Sequence, residues 1–525
     1  MNIGKSINKI RVGAGLSQEQ FAEIFGVSQQ SVQKWETGAS TPELSKIVEI
    51  SKHFGVSLDE LVLERDKRMM EEVQSSKCVM PEYSKLPWWE SYGKNACTEY
   101  RQAIDEGLDV ENYKNLFDAI TALPKDEIQN DLSEIVYKII SSAKIKKGYK
   151  YIEPSDLESI KDLRKNDSAA ENFNKSSLEN KISGAWYGRI SGCMLGKTVE
   201  CIKTDELVPF LKETGNFPMH RYIYESDLTD EICEKYKFPF RSRAYADNID
   251  GMPVDDDTNY VVLAQIIVDK YGKDFTPYDV SRAWLDYQKK DAYCTAERIA
   301  YINFVNGFEP PKSAVYKNPY REWIGAQIRG DYFGYINPGN PEKAAEMAWR
   351  DASISHTKNG IYGEMFVSAM IAKAAVTNSI EEIILAGLSQ IPYTSRLYEE
   401  IMRVLEEYKN SVTKNECFKN IHEKYNEFSG YDWCHTISNA VIVAASLLYG
   451  NGDFAKSICM AVETGFDTDC NGATVGSILG MANGIESIPE YWVNPFNNKL
   501  NTTIFGVGTV NISDRVKLTL KHINN

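Results

Sequence analysis

From about Tyr149 to the C-terminus, polar and apolar positions follow each other at helical spacing, segment after segment. Runs that alternate apolar with polar, as a half-buried strand would, are scarce. The pattern predicts an all-α chain with one large helical domain over residues 148–525. Its size suggests helices gathered around one central site. The N-terminal 64 residues read as a separate small helical unit. Residues 65–147 read as a helical connector packing on the C-terminal domain, with a charged helix or hinge at "LERDKRMMEEVQ" and no visible chemistry.

The N-terminal unit can be parsed residue by residue. In "LSQEQFAEIFGVSQQSVQKWETGASTP" (Leu16–Pro42), Ser17 is a helix N-cap and Gln20 completes a capping box. Phe21, Ala22 and Phe25 supply an apolar face, and Gly26 breaks the helix. Ser28 caps the next one, which turns Val32 and Trp35 inward and closes at Gly38 and Pro42. Two short helices joined by a tight glycine-containing turn make a helix-turn-helix.

Two acidic stretches stand out in the large domain. "PVDDDTNY" (Pro253–Tyr260) places Asp255, Asp256 and Asp257 directly before the apolar run "YVVLAQIIV". "GFDTDCNGATVGSILGMANG" (Gly465–Gly484) places Asp467 and Asp469 at another helix start. Carboxylates about 4 Å apart repel by roughly 4 kcal/mol at an effective dielectric near 20. Helix N-termini tolerate acids, and a bound divalent cation turns the repulsion into attraction. Gly184, Gly188, Gly192 and Gly196 recur every four residues, as do Gly472, Gly476, Gly480 and Gly484. Residues four apart share a helix face, and a glycine stripe lets two helices meet backbone to backbone. A membrane dimer motif is the rival reading; Arg189, Lys197 and the acids heading the second ladder oppose it. Spacing alone leaves two readings of the acids: one oxygen-lined site for one or two hard divalent ions, or two unrelated acidic caps.

Composition narrows the setting. Hydrophobic residues make up 43% and charged residues 25% of the 525 residues, as in ordinary globular proteins. No apolar run reaches the roughly 18 residues that span a bilayer, and the N-terminus lacks the apolar core of a signal peptide. The ten cysteines are scattered without a CxxC pair, as reduced cytoplasmic thiols would be. A net charge of −15 argues against the whole molecule coating nucleic acid and says nothing about one small domain.

The stretch carrying "SQEQFA", "GVSQQSVQKWE" and "G…TP" resembles the phage-repressor (Cro/repressor) helix-turn-helix family over residues 5–63. The resemblance implies that residues 1–64 bind double-stranded DNA, with Ser28, Gln29, Gln30, Gln33 and Lys34 on the DNA-facing surface. Glutamine can hold adenine through two hydrogen bonds. It also implies a homodimer on two half-sites. The near balance of basic and acidic residues keeps a protein-contact module as the alternative.

In order, "GAWYGRISGCMLGKTVE", "DDDT", "ISHTKNGIYGE" and "GFDTDCNGATVG" resemble the ADP-ribosylglycohydrolase family over about residues 150–500. The resemblance implies an all-α fold, a two-magnesium site and hydrolysis at the anomeric carbon of an ADP-ribosyl group. It implies Asp256, Asp257, Asp467 and Asp469 as metal ligands; Asp255 and Cys470, which stand where the family has Ser or Thr, are candidate ligands with them, Asp255 as the source of an oxygen that Cys470 lacks. Glu200, Asp257 and Asp469 are the candidates for acid–base chemistry, Glu200 first. His356, Arg329, Gly360 and Tyr362 are candidates for binding ADP-ribose or an ADP-ribosylated target. His435 is added from its place beside a predicted helix, and Tyr332 and Phe333 as aromatic neighbours. Cys193 stands where the family has an Asp after the first glycine ladder. A thiol is a poor magnesium ligand, so the metal count is open. The alternative function is a transcriptional regulator whose glycohydrolase-like domain senses ADP-ribose or a related nucleotide.

Overall fold

The computed structural model describes residues 3–63, 81–165 and 170–524. The expected charged helix or hinge at "LERDKRMMEEVQ" lies almost wholly outside the described residues. The chain forms two compact units, Met1–Lys147 and Gly148–Asn525. Both are helical, and the described strands are one short antiparallel pair, Lys499–Asn501 with Thr509–Asn511.

In the first unit, helix Gln18–Ile24 starts at Ser17, whose side chain accepts from the Gln20 amide while Gln20 reaches back to the Ser17 amide. Gly26 takes φ +61°, which only glycine adopts without cost. Helix Gln29–Thr37 follows, capped by Ser28 through the Ser31 amide and ended by Gly38 in the left-handed region. Val32 and Trp35 are buried, whereas Gln29, Gln30, Gln33 and Lys34 are exposed. Tyr92, Ala96, Phe117, Ile120, Leu132, Ile135 and Val136, from the connector, join Phe21, Val32, Trp35 and Ile50 in one apolar cluster. The connector's buried face therefore belongs to the core of the helix-turn-helix.

The second unit is organised by its two glycine helices, Leu178–Lys197 and Thr468–Asn483. They run antiparallel. A Cβ added at Gly184 would lie 2.2 Å from the Gly480 carbonyl oxygen; at Gly188, 2.2 Å from that of Gly476; at Gly192, 1.9 Å from that of Gly472. Gly196 faces the Thr468 backbone in the same way. Gly484 ends its helix at φ +82° and still packs on the first helix, a Cβ at Gly184 lying 2.6 Å from its carbonyl carbon. Helices Asn359–Ala374, Thr436–Gly450 and Phe454–Glu463 pack around the second glycine helix.

The crossing sets a testable cost. Gly→Ala inside a helix should gain about 1 kcal/mol of propensity. At Gly192 the new methyl has no room, and overpacking costs about 1–3 kcal/mol or more. Gly192→Ala is expected to lower unfolding free energy by about 2 kcal/mol net. Gly430→Ala, whose Cβ meets nothing within 4 Å, should be neutral or stabilising. Denaturant melts of the two variants decide; equal effects would refute the packing account.

Candidate metal centre

Antiparallel crossing brings the C-terminal end of the first glycine helix to the start of the second. Gly196 lies against the backbone of Thr468 and Asp469, which brings Cys193 and Lys197 near Asp469. The start of helix Asp256–Tyr271 arrives at the same point. Asp255 is its N-cap: the side chain accepts from the Asp257 amide at 2.9 Å. Asp and Ser cap about equally well and Thr somewhat less, which gives a physical reason for Asp where the family pattern has Ser or Thr. The other Asp255 oxygen accepts from Lys197 Nζ at 2.8 Å.

Asp257 is fixed by a buried arginine of the first glycine helix. Arg189 projects from the glycine helix, 1% exposed. It donates Nη2 to Asp257 Oδ1 at 2.7 Å and Nε to the Asp257 carbonyl at 2.9 Å, and Nη1 lies 3.0 Å from Asp331 Oδ2. Burial tends to strip its charge, but Asp331 and Asp257 hold the guanidinium firmly protonated.

Three overlapping groups offer ligand atoms all within 4.8 Å of one another: Asp255, Asp256, Asp257 and Asp469; Cys193, Asp255 and Asp257; Asp257, Asp469 and Cys470. Oδ2 of Asp257 and Oδ1 of Asp469 are buried without a hydrogen-bond partner. Burial and then neighbouring carboxylates push Asp256 and Asp469 well above the usual carboxylate range; burial does the same to Asp257 in spite of Arg189. Buried polar atoms are normally satisfied. A cluster of acids with unpaired oxygens fits a divalent cation, which supplies the missing partners.

Asp467 stands apart from the expectation. It belongs to none of these groups among the described residues; it occupies the N-cap position of the second helix, and Cys434 Sγ donates to its Oδ2 at 3.4 Å. Glu200 sits half-buried at the rim, raised by burial, Asp255 and Asp467. Arg243 Nη1 lies 3.6 Å from its carboxylate.

The remaining candidates are buried in the second unit. Arg329 is buried. Its five N–H donors go to the Asp351 carboxylate and carbonyl, Glu297, the Gly325 carbonyl and Ser355 Oγ, leaving none for a diphosphate. The same network contains Glu297, pushed up to about 7 by burial against the pull of Arg329. Tyr362 is buried and its hydroxyl donates to the Pro154 carbonyl. Gly360 serves close packing, since a Cβ there would lie 2.6 Å from the Arg321 carbonyl oxygen. His356 is buried with Nδ1 2.8 Å from Ser355 Oγ, and burial and then Arg329 hold it neutral. His435 is the N-cap of Thr436–Gly450, its Nδ1 accepting from the Ile437 amide at 3.1 Å. Tyr332 and Phe333 are core residues. A shared loop motif does not say which way a side chain turns: Arg329 and Tyr362 spend their donors inside the fold, whereas Nε2 of His356 and of His435 is buried without a hydrogen-bond partner, the latter 3.7 Å from Glu322 Oε2.

Comparison with known proteins covers both units. A helix-turn-helix family profile matches residues 7–61. The HTH-type transcriptional activator BcrR of Enterococcus faecalis is 39% identical over 62 residues, 12% of this chain and 30% of that protein. The SPbeta prophage-derived HTH-type transcriptional regulator YonR of Bacillus subtilis (strain 168) is 34% identical over 59 residues, 11% and 55% of the two chains. Antitoxin PezA of Streptococcus pneumoniae serotype 4 (strain ATCC BAA-334 / TIGR4) is 26% identical over 136 residues, 26% and 77% of the two chains. The chain thus spans less than two thirds of the first two relatives. A solved structure, an ADP-ribosylglycohydrolase-related protein complex, aligns with 66% of this chain and 99% of its own, at TM-score 0.43 and 17% identity. Among the described residues no helix is long and apolar enough to cross a membrane. The ADP-ribosylglycohydrolase family profile matches residues 174–516, well over half of the sequence and all of the candidate centre, and the chain belongs to that family.

Proposed function

We propose that the protein is a divalent-metal-dependent hydrolase that removes ADP-ribose from a modified target, tethered to a DNA-binding module. The carrying observation is the group Asp255, Asp256, Asp257 and Asp469, of which Asp257 and Asp469 each keep a buried oxygen without a partner, on a chain of this family. Asp255, Asp256, Asp257 and Asp469 would hold a divalent cation, magnesium by the family resemblance, which would supply charge stabilisation and an activated water. The chain's own residues do the rest. Arg189 and Lys197 hold Asp257 and Asp255 in place. Glu200, raised in pKa and at the rim, exchanges the proton of the attacking water or leaving group, as cleavage at an anomeric carbon requires. The test incubates the protein with arginine-, serine- and nucleic-acid-linked ADP-ribose, with magnesium and with chelator. Chelator-sensitive release supports the reading and names the linkage; no release from any of them counts against it.

The regulator names of BcrR and YonR favour keeping the second reading, in which the large domain senses ADP-ribose and alters DNA affinity. Both readings use the exposed face of Gln29–Thr37. Once an operator is selected from random duplexes, Gln33→Ala should cost about 1–3 kcal/mol at one base position, whereas Lys34→Ala should weaken all sequences alike and reduce the salt slope by about one. Anisotropy titrations at several salt concentrations check this. Unchanged binding by both variants would exclude this helix as the reading head. Metal-dependent ADP-ribose binding without release, measured by calorimetry, would favour the sensor.

A further inference from the structure

We propose that Cys193 and Cys470 make this a mixed thiolate–carboxylate centre, which takes a thiophilic first-row divalent ion of the zinc or iron(II) class in preference to magnesium. The inference rests on the reading of the cluster as a metal centre. Buried cysteine is ordinarily a small apolar filler. Here each sulfur has two carboxylates as neighbours. Cys193 Sγ is within 4.8 Å of ligand oxygens of Asp255 and Asp257, and Cys470 Sγ of those of Asp257 and Asp469. Asp257 belongs to both triads. A second observation points to a ligand: Asp257, 0% exposed, and Asp469, 3% exposed, each keep one buried oxygen without a partner.

Ligand softness decides the ion. Magnesium takes oxygen donors in near-octahedral order and binds thiolate poorly. Zinc accepts sulfur and carboxylate oxygen together, at about 2.3 Å and 2.0–2.2 Å respectively. Two sulfurs that share Asp257 as a neighbouring carboxylate offer soft donors where a magnesium site calls for oxygen, and are good donors to zinc or iron(II). On coordination each S–H bond is replaced by a sulfur–metal bond, and the proton leaves to buffer. The thiols come from the two glycine helices, one each, so the backbone crossing at Gly192 and Gly472 is what brings them to one centre.

The test uses full-length, metal-stripped protein and cobalt(II) as a spectroscopic stand-in for zinc. A thiolate-to-cobalt charge-transfer absorption is expected in the near ultraviolet, saturating with added metal and displaced by zinc but not by equimolar magnesium. Cys193→Ser and Cys470→Ser should each weaken the band and lower cobalt affinity by at least ~10-fold, and the double variant should lose the band. Cys193→Ala and Cys470→Ala serve where the serine variants do not fold, and Cys417→Ser, at a buried cysteine outside these triads, should change nothing. Cobalt binding without the band, or a double variant with unchanged affinity, overturns the proposal. ADP-ribose release is measured on the same samples. Magnesium-supported release without a cobalt–sulfur band overturns the thiolate centre and leaves the hydrolase reading intact. A cobalt–sulfur band without release supports the thiolate centre and counts against the hydrolase.

Discussion

Asp469→Asn is expected to abolish metal-dependent release of ADP-ribose while leaving the metal-free protein as stable as the parent, or more so. Asp469 lies within 4.8 Å of the ligand atoms of Asp255, Asp256 and Asp257 and has one buried oxygen with no partner. Two ionised carboxylates at that separation repel by roughly 3–4 kcal/mol at an effective dielectric near 20. Burial and the neighbouring Glu200, Asp467 and Asp255 already favour its protonated form, so a neutral amide of the same shape removes strain from the empty cluster. With metal the sign reverses. Changes one shell out from a metal commonly cost ~10–100-fold in affinity, so loss of a ligand should cost more than ~100-fold. An ion at 100 times its Kd stabilises the fold by about 2.7 kcal/mol. The parent should therefore melt higher in divalent metal than in chelator, and Asp469→Asn should melt alike in both. A variant that is destabilised in chelator and still responds to metal would make Asp469 a structural residue.

The two acidic helix starts and the two glycine stripes were readable because their causes are local. An N-cap needs one side chain within reach of an amide two or three residues on, and a stripe needs only a four-residue repeat. The antiparallel pairing of Gly184 with Gly480 and Gly192 with Gly472 follows once both stripes are seen, since no other described pair of helices carries such a face. The counter-charges were not readable. Arg189 and Asp331 are 142 residues apart, by subtraction of their numbers, and Lys197 reaches Asp255 across 58 residues. Arg189 did carry a signal, a charge inside a helix otherwise stripped of side-chain bulk, and it pointed to a buried partner. Arg329 carried the opposite lesson. An arginine after a loop reads as an anion clamp, yet Asp351, Glu297 and Ser355 claim its donors. Sequence position gave no access to that competition.

Arg189→Met is expected to destabilise the metal-free protein by about 3–5 kcal/mol, the range for removing one partner from a buried ion pair. Methionine keeps much of the length and the apolar stem, so the loss is mainly charge. Asp257 and Asp331, each with a fully buried side chain, would face the interior without a counter-ion. Their folded pKa values are already raised by burial and are held down by Arg189; without it they rise further. The sign follows. A carboxyl whose folded pKa lies above its unfolded value is fully accommodated below the unfolded pKa and loses stability as pH rises through the folded one. The deficit of Arg189→Met should thus be small near pH 4 and grow toward pH 8. Divalent metal should restore part of it, because a cation can replace the guanidinium at Asp257 and not at Asp331, which lies outside the three candidate groups. The triple variant Arg189→Met, Asp257→Asn, Asp331→Asn should recover most of the stability, since no charge is left unpaired, while remaining unable to bind metal. Urea melts at several pH values, with chelator and with metal, read all of this. A deficit flat in pH, or a triple variant no more stable than Arg189→Met, would show that the arginine acts through packing and that the centre's charge balance is set elsewhere.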